Sequence, residues 1–456
     1  LIRSKILLLL LLLSGTFCFS QKSSKPQYQP DNIDSLKNFL SAITVKRNKV
    51  FANDKHFKDI QTIIENNKKY FIEEIKDSSY VFDKHINNYL KSILREIYRA
   101  NPVINPADFY FFFDKTPYPN AASHGNGIFV VNLGLFEWQN SDDEVAFTIC
   151  HEMAHQMLDH SNKSIRSHVA MANSGETRKK INHALRSRYG KARAVTDVVK
   201  GYVYNLQNKS RAVEAQADSL GFVFFNKTKY NKAAAASSLE SLAKSDTDFY
   251  LTDPQLQKHF NFDDYPFREA WLSPNETLFD LKEAAVDNTW DRDSLKSHPD
   301  IPLRVETLRK LYAGKNTAVT SSQLSDIKKW VAREEITISL DNDRYDLALY
   351  QVLALSEKNS IDPQTYCSTV AYILKRTYEL KANHTFMKCV PYLTTFVEEK
   401  NYNQVLLFLH NLELKNIRKI GYYFCQKNES SAKDDAAFAD AFTFFKNLNP
   451  PNQNKN

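Results

Sequence analysis

The chain has 456 residues, which at roughly 150 per domain leaves room for about three domains. With 43% hydrophobic and 25% charged residues it can bury a sizeable core, and its 10 glycines exclude collagen-like, glycine-linker and most turn-rich repetitive β architectures. A net charge of +7, with no Lys/Arg cluster alternating with aromatics, does not indicate nucleic-acid binding.

Residues 1–20 read as a secretory signal peptide. Arg3 and Lys5 precede the apolar run Ile6–Leu13, and small residues follow before Cys18-Phe19-Ser20. The run is too short to span a bilayer, which takes about 20 residues. Cleavage after Ser20 is expected. A lipoprotein signal acylated at Cys18 is the rival, disfavoured by the bulky Phe17 before it. No later run is long enough to cross a membrane, so the mature chain is expected to be exported, periplasmic or secreted. That leaves Cys150, Cys367, Cys389 and Cys425 without a C-x-x-C pair. An oxidising compartment could join two of the last three, with no pairing readable from spacing. Cys150 reads as a small buried residue.

Residues 21–100 begin with a polar lead-in and continue as a helical segment expected to pack on the core formed by residues 101–312. Ile60, Ile63 and Ile64, then Phe71, Ile72 and Ile75, recur at three- and four-residue steps. Asp108–Asp114 is an aromatic run of strand length, and Gly127–Asn132 (G-I-F-V-V-N) is a second β-like run. Ser141 with Glu144 three residues later forms a capping box, so a helix is expected to begin there. Helical patterns continue to about Tyr312. Residues 313–322 are small and polar, the best boundary in the chain, and 323–456 read as a helical C-terminal domain. Within it two helices are expected around Asp362-Pro363. Tyr345–Tyr350 looks like the opening helix of a tetratricopeptide-type repeat, echoed at Asn401–Leu406. The echo lies 57 residues on, whereas that repeat has a period of 34. The fold class expected is mainly α with a small β-sheet, an α+β core followed by an α-helical domain.

The chemistry concentrates in the helix that starts at Ser141. His151-Glu152-Met153-Ala154-His155 puts two imidazoles one turn apart on one face, where they can share one cation. Glu152 stands beside them, able to take a proton from an activated water. A catalytic zinc needs a third protein ligand. Leu158 and Ser161 occupy the positions where a metzincin carries its glycine and third histidine. His160 falls about 140° further round a continuous helix, out of easy reach of the same metal. Ser210–Gly221 supplies a glutamate instead. Glu214 can ligate, while Asp218, one turn on, can accept a hydrogen bond from the second nitrogen of a ligand histidine.

These motifs resemble the gluzincin metallopeptidases that include HtpX heat-shock peptidases, CAAX prenyl endopeptidases and soluble periplasmic relatives in outer-membrane quality control. The resemblance covers about Asn101 to Leu311. It rests on H-E-M-A-H, on S-R-x-x-E-x-x-A-D-x-x-G, and on Asn120-Ala121 with the following G-I-F-V-V-N-L-G-L. It also takes in Ser297-His298-Pro299 with Arg304 six residues after the histidine. It implies a zinc metallopeptidase core with one Zn²⁺ per chain held by His151, His155 and Glu214, and Glu152 as general base. His160 matches a common family histidine, whereas Asp159 stands where arginine is frequent. Unlike the membrane-embedded members, this chain has no internal transmembrane run, and its basic 161–211 connection should lie in water.

His298 and Arg304 complete the expected site, with a surface-loop histidine and a solvated arginine as the alternative. His298 precedes Pro299, which favours an extended conformation able to reach back over a cleft. It is expected either to stabilise the oxyanion or to act as a fourth zinc ligand that holds the resting enzyme off. Arg304 is expected to support the intermediate or to brace a carboxylate. Gly127, Ile128, Phe129 and Val130 are the candidate edge strand for substrate, with an ordinary sheet strand as the alternative. Gly125-x-Gly127 is no nucleotide loop, and no G-x-S-x-G elbow is present. The function expected is an exported zinc endopeptidase acting on unfolded or misassembled exported proteins, with a protein partner recruited by the C-terminal helices. The competing readings are a catalytically idle chaperone-like or assembly factor that keeps the metal site, and a binding protein centred on the helical domain.

Overall fold

The computed structural model describes residues 32–176, 179, 211–273, 301–315, 317–393, 399–432 and 434–449. The leader and His298 lie outside the described residues. The protein is mainly α-helical with one four-stranded sheet, and it divides into two compact units. The first comprises the described residues of Leu1–Ala243 and Trp290–Ile327, the second those of Lys244–Thr289 and Lys328–Asn456.

The first unit opens with α1 (Ile33–Val50), capped where Asn32 accepts the Ser35 N–H at 2.9 Å, and α2 (Phe57–Lys76). The two-residue strand β1 (Tyr80–Val81) and α3 (Lys84–Ala100) come next. The helical periodicity of residues 33–99 thus resolves into three helices with a short strand between the last two. Strands β2 (Tyr110–Asp114), β3 (Ala121–Gly125) and β4 (Ile128–Asn132) complete a sheet of order β1-β2-β4-β3. β2 and β4 run parallel, and β3 returns antiparallel to β4 through Asn126-Gly127. Both turn residues have positive φ, 51° and 80°, as two-residue Asn-Gly hairpin turns require. Gly127 is obligatory here for a second reason: a Cβ would run into the main-chain carbonyl of Asp108.

This order corrects the substrate-strand expectation for Gly127, Ile128, Phe129 and Val130. β4 is paired on both sides, from Tyr110↔Ile128 to Asp114↔Asn132 with β2 and from Ala121↔Val131 to Gly125↔Ile128 with β3. Its main-chain groups are committed, so it cannot take an added strand. Among the described residues the edges are the two-residue β1 and, on the β4 side, β3.

After α4 (Leu133–Trp138) comes α5 (Asp142–Met157), started by the expected capping box. Ser141 Oγ accepts the Glu144 N–H at 3.2 Å, but the reciprocal bond goes elsewhere. Glu144 is itself buried and accepts from the Asn140 N–H and from the Ser237 and Ser241 hydroxyls. Every residue from Glu144 to Ala154 is buried. A helix enclosed on all faces is a core element rather than an amphipathic surface one. It runs against β3, α3 and α6 (His160–Ala172), and Phe147 meets Phe225 of α7 (residues 211–226) edge-on at 5.6 Å. The helices α8 (Ala234–Asp248) and α10 (Ile301–Leu311) follow, with α9 (Leu256–Phe260) between them in sequence.

The second unit is built from α9, the part of α11 (Ser322–Asp341) from Lys328 on, α12 (Tyr345–Glu357), α13 (Pro363–Ala382), α14 (Lys400–Asn411), α15 (Leu414–Ala432) and α16 (Ala436–Leu448). Asp362 caps α13 by accepting the Thr365 N–H at 2.9 Å, with Pro363 at the first helical position. The expected boundary at 313–322 does not coincide with the division between the units. Leu256, Phe260, Phe262 and Trp271 belong to the core of the second unit, with Phe260 stacked on Phe408 at 4.8 Å. Fully buried Asp346 takes the Arg344 guanidinium fork and the Tyr402 hydroxyl, which ties α12 to α14. All four cysteines outside the leader are free thiols. No helix among the described residues is long and apolar enough to cross a membrane.

Candidate metal centre

Two polar side chains, His151 and Glu152, sit in the middle of the all-buried α5, each 6% exposed. Burying such groups is costly unless they are paired, so their partners decide what they are for. α7 crosses close by because Gly221 lacks a side chain: a Cβ there would stand 2.8 Å from the His151 Cα and 3.0 Å from its nitrogen. That close approach brings Glu214 and Asp218, one turn apart on α7, against the two histidines.

The result is a compact donor cluster. His151 Nε2 and His155 Nε2 are 3.0 Å apart, and each lies 3.5 Å from a Glu214 carboxylate oxygen. These three residues form a group able to hold a metal ion. The fit can be checked by geometry: ligands about 2.0–2.1 Å from a tetrahedral zinc stand about 3.3 Å from one another. The two Nε2 atoms, 3.0 Å apart, are near that spacing, and Glu214 presents one oxygen to each of them, Oε2 to His151 and Oε1 to His155, both at 3.5 Å. Glu152 Oε1 lies 3.9 Å from His151 Nε2, alongside the cluster, and its carboxylate accepts the main-chain N–H of Ser123 on β3.

The outer atoms of the histidines are held as well. His151 Nδ1 lies 2.9 Å from Asp218 Oδ1, close but short of good hydrogen-bond alignment. His155 Nδ1 lies 3.0 Å from His160 Nδ1, whose other nitrogen meets Gln216 Oε1 at 3.1 Å. His160 therefore touches the site, which extrapolating one continuous helix does not anticipate. The reason is a break: Asp159 takes a left-handed conformation (φ 56°, ψ 33°), ending α5 and restarting the chain as α6 in a new direction. Asn162 supports that turn by donating to Asp159 Oδ1 at 2.7 Å.

Arg304, on α10 and 6% exposed, faces the same acids. Its Nε and Nη2 fork onto the two oxygens of Asp218 at 2.7 and 2.9 Å, and Nη1 lies 3.0 Å from Glu214 Oε2. Of the two roles open from sequence, the fork onto Asp218 is the carboxylate-bracing arrangement, while Nη1 stands beside Glu214 as an ion pair short of good hydrogen-bond alignment.

Electrostatically the cluster sorts its groups. Burial opposes protonation of His151, but Asp218 and Glu214 prevail and hold it up at about 10. Burial, then the charge of His151, drives His155 down to about 3. Burial pushes Glu152 up to about 8, with His151 opposing and Glu214 adding. Glu214 and Asp218 are kept below the ordinary carboxylate range despite burial, by His151 and Arg304. A cation between the Nε2 atoms would replace the proton that these acids draw onto His151.

The sequence model of Peptidase family M48 matches residues 84–312. The chain belongs to this family. The matched M48 span starts at α3 and ends just after α10, so it contains every residue of the donor cluster, while α1, α2 and β1 lie before it. A search of curated proteins returns no match. Membership makes the chain a metallopeptidase with polypeptide substrates. Three features of this M48 site are not legible from helix periodicity: the reach of His160, which the family resemblance alone marks, the β3 edge and the Ser123 contact. A clue to the first is Leu158-Asp159-His160, where a residue tolerant of left-handed geometry precedes the histidine.

Proposed function

We propose that the protein is an exported zinc-dependent endopeptidase that hydrolyses unfolded or misassembled polypeptides, with one zinc held by His151, His155 and Glu214. The observation that carries this reading is the pair of Nε2 atoms 3.0 Å apart, each 3.5 Å from one oxygen of the Glu214 carboxylate, with the Glu152 carboxylate beside them. When bound, zinc acts as a Lewis acid that activates water and polarises the scissile carbonyl. Asp218 and His160 hold the outer nitrogens and so keep the two Nε2 atoms turned inward. Arg304 keeps Glu214 ionised and aimed. Glu152 takes the water's proton on its carboxylate and passes it to the leaving amine nitrogen.

The same reading assigns substrate to β3. Asn132 donates to the Asn120 carbonyl and Ala122 pairs with Val130, so strand alternation turns the main-chain groups of Ala121 and Ser123 away from β4, the Ser123 N–H towards Glu152 and the Ala121 groups and Ser123 carbonyl towards an added strand. An extended peptide added there lies next to Glu152. Export is supported by the signal-like leader, and the helices of the second unit are the segment available for recruiting a partner or substrate.

Casein hydrolysis tests the proposal. The purified protein is expected to cleave casein, to lose that activity to a zinc chelator, and to regain it with about one equivalent of zinc. Cleavage that survives complete removal of metal contradicts the mechanism, and no cleavage by the zinc-loaded protein favours an idle, assembly-type role.

A further inference from the structure

Arg47 stands near the C-terminal end of α1, before the M48 match, yet the residue is 6% exposed and its guanidinium reaches the edge of the metal centre. Nη1 donates to the His124 carbonyl of β3 at 2.7 Å, Nη2 to Ser161 Oγ at 2.8 Å and Nε to Asn162 Oδ1 at 3.1 Å. Space for it exists because residue 125 is glycine. A Cβ at Gly125 would collide with Arg47 Nη2 and come within 2.7 Å of its Cζ and of Ser161 Oγ. A buried guanidinium whose three hydrogen bonds all go to neutral acceptors, with only the charge of Asp159 to offset its burial, is an expensive way to anchor a helix. The cluster of Phe51, Ile60, Ile64 and Val169 already packs α1, α2 and α6 together by apolar contact.

What Arg47 grips is more informative. His124 follows Ser123, whose N–H is donated to Glu152. Ser161 follows His160, which meets the outer nitrogen of His155. Asn162 holds the left-handed turn that aims His160. One side chain thus fixes, one residue away in each case, the partner of Glu152 and the partner of His155. We propose that Arg47 is a positioning residue that sets the carboxylate of Glu152 and the imidazole of His155 in register, so that the segment preceding the M48 match takes part in forming the active centre. This rests on the function proposed above.

The test compares Arg47→Met with Ile60→Ala, a core truncation in the same segment that touches no group of the site. Both are expected to lower the melting temperature. At a temperature where each variant is fully folded, Arg47→Met is expected to lower kcat on casein roughly 10- to 100-fold with KM little changed, the scale of a small misplacement of reacting groups. Ile60→Ala is expected to keep wild-type kcat. With cobalt(II) in the site, the visible spectrum should change in Arg47→Met and not in Ile60→Ala. Arg47→Lys, which retains the charge but reaches fewer acceptors, should fall between wild type and methionine, and it is read if the methionine variant does not fold. Wild-type kcat and an unchanged cobalt spectrum in the Arg47 variants would overturn the proposal, as would equal losses in Ile60→Ala. If the wild type proves inactive, the proposed function fails while the cobalt comparison still decides the role of Arg47. A wild-type chain that bound no cobalt would overturn both.

Discussion

Glu152→Gln is expected to leave fold and metal binding intact while lowering casein hydrolysis by roughly 10²- to 10⁴-fold, the range attributable to a positioned general base. The amide preserves the shape of the carboxylate and can still accept the Ser123 N–H, so the contact with β3 survives. What it loses is basicity. Burial lifts the Glu152 carboxyl to about 8, and a cation beside it would pull that value down again towards the range in which a carboxylate can accept and release a proton at neutral pH. The side-by-side measurement is initial rate and bound metal for wild type and variant. A variant that cleaves at a rate near wild type would show that Glu152 is not the base.

Arg304→Met is expected to cost about 3–5 kcal/mol of stability, the scale seen when one partner of a buried ion pair is removed. The loss comes from the acids left behind. Glu214 and Asp218 would stand buried on neighbouring turns without the guanidinium that now lies 2.7–3.0 Å from both. Glu214 would then gain a proton more readily, which weakens it as a ligand. Urea unfolding without metal should show the full effect, and zinc should recover part of it by supplying positive charge at Glu214. Arg304→Lys should recover little, because an ammonium cannot fork onto Asp218 while also reaching Glu214. Unchanged unfolding in Arg304→Met would mean that the acids are stabilised by something other than this arginine.

Local signals carry most of the site. The Ser141–Glu144 capping box announces α5, the i,i+4 histidines lie on one face of it, and Glu214 with Asp218 forms the matching pair on a second helix. Each of these is a short-range pattern, so a single sequence can show it. What escapes depends on packing between distant segments. β3 reads A-A-S-H-G, with little of the branched or aromatic character that marks a strand, and only pairing with β4 makes it one. The neighbouring I-F-V-V run invites the reading of an edge, although an unbroken apolar run is what a strand covered on both faces carries. His160 escapes because a left-handed residue breaks the helix just before it. Arg47 lies 115 residues from its acceptor Asn162, beyond any spacing rule. The division of the chain is obscured in the same way. Aromatic residues between Tyr250 and Trp271 look like part of the preceding helical stretch but pack with α12–α15 in the core of the second unit.

The metal centre stands or falls on whether His151, His155 and Glu214 together hold one catalytic zinc. Elemental analysis of purified wild type beside Glu214→Ala tests this most directly, since two imidazoles alone cannot retain zinc against water and buffer. The expected result is about one zinc per wild-type chain and a nearly metal-free variant that is still folded by circular dichroism. Full zinc occupancy in Glu214→Ala would contradict it.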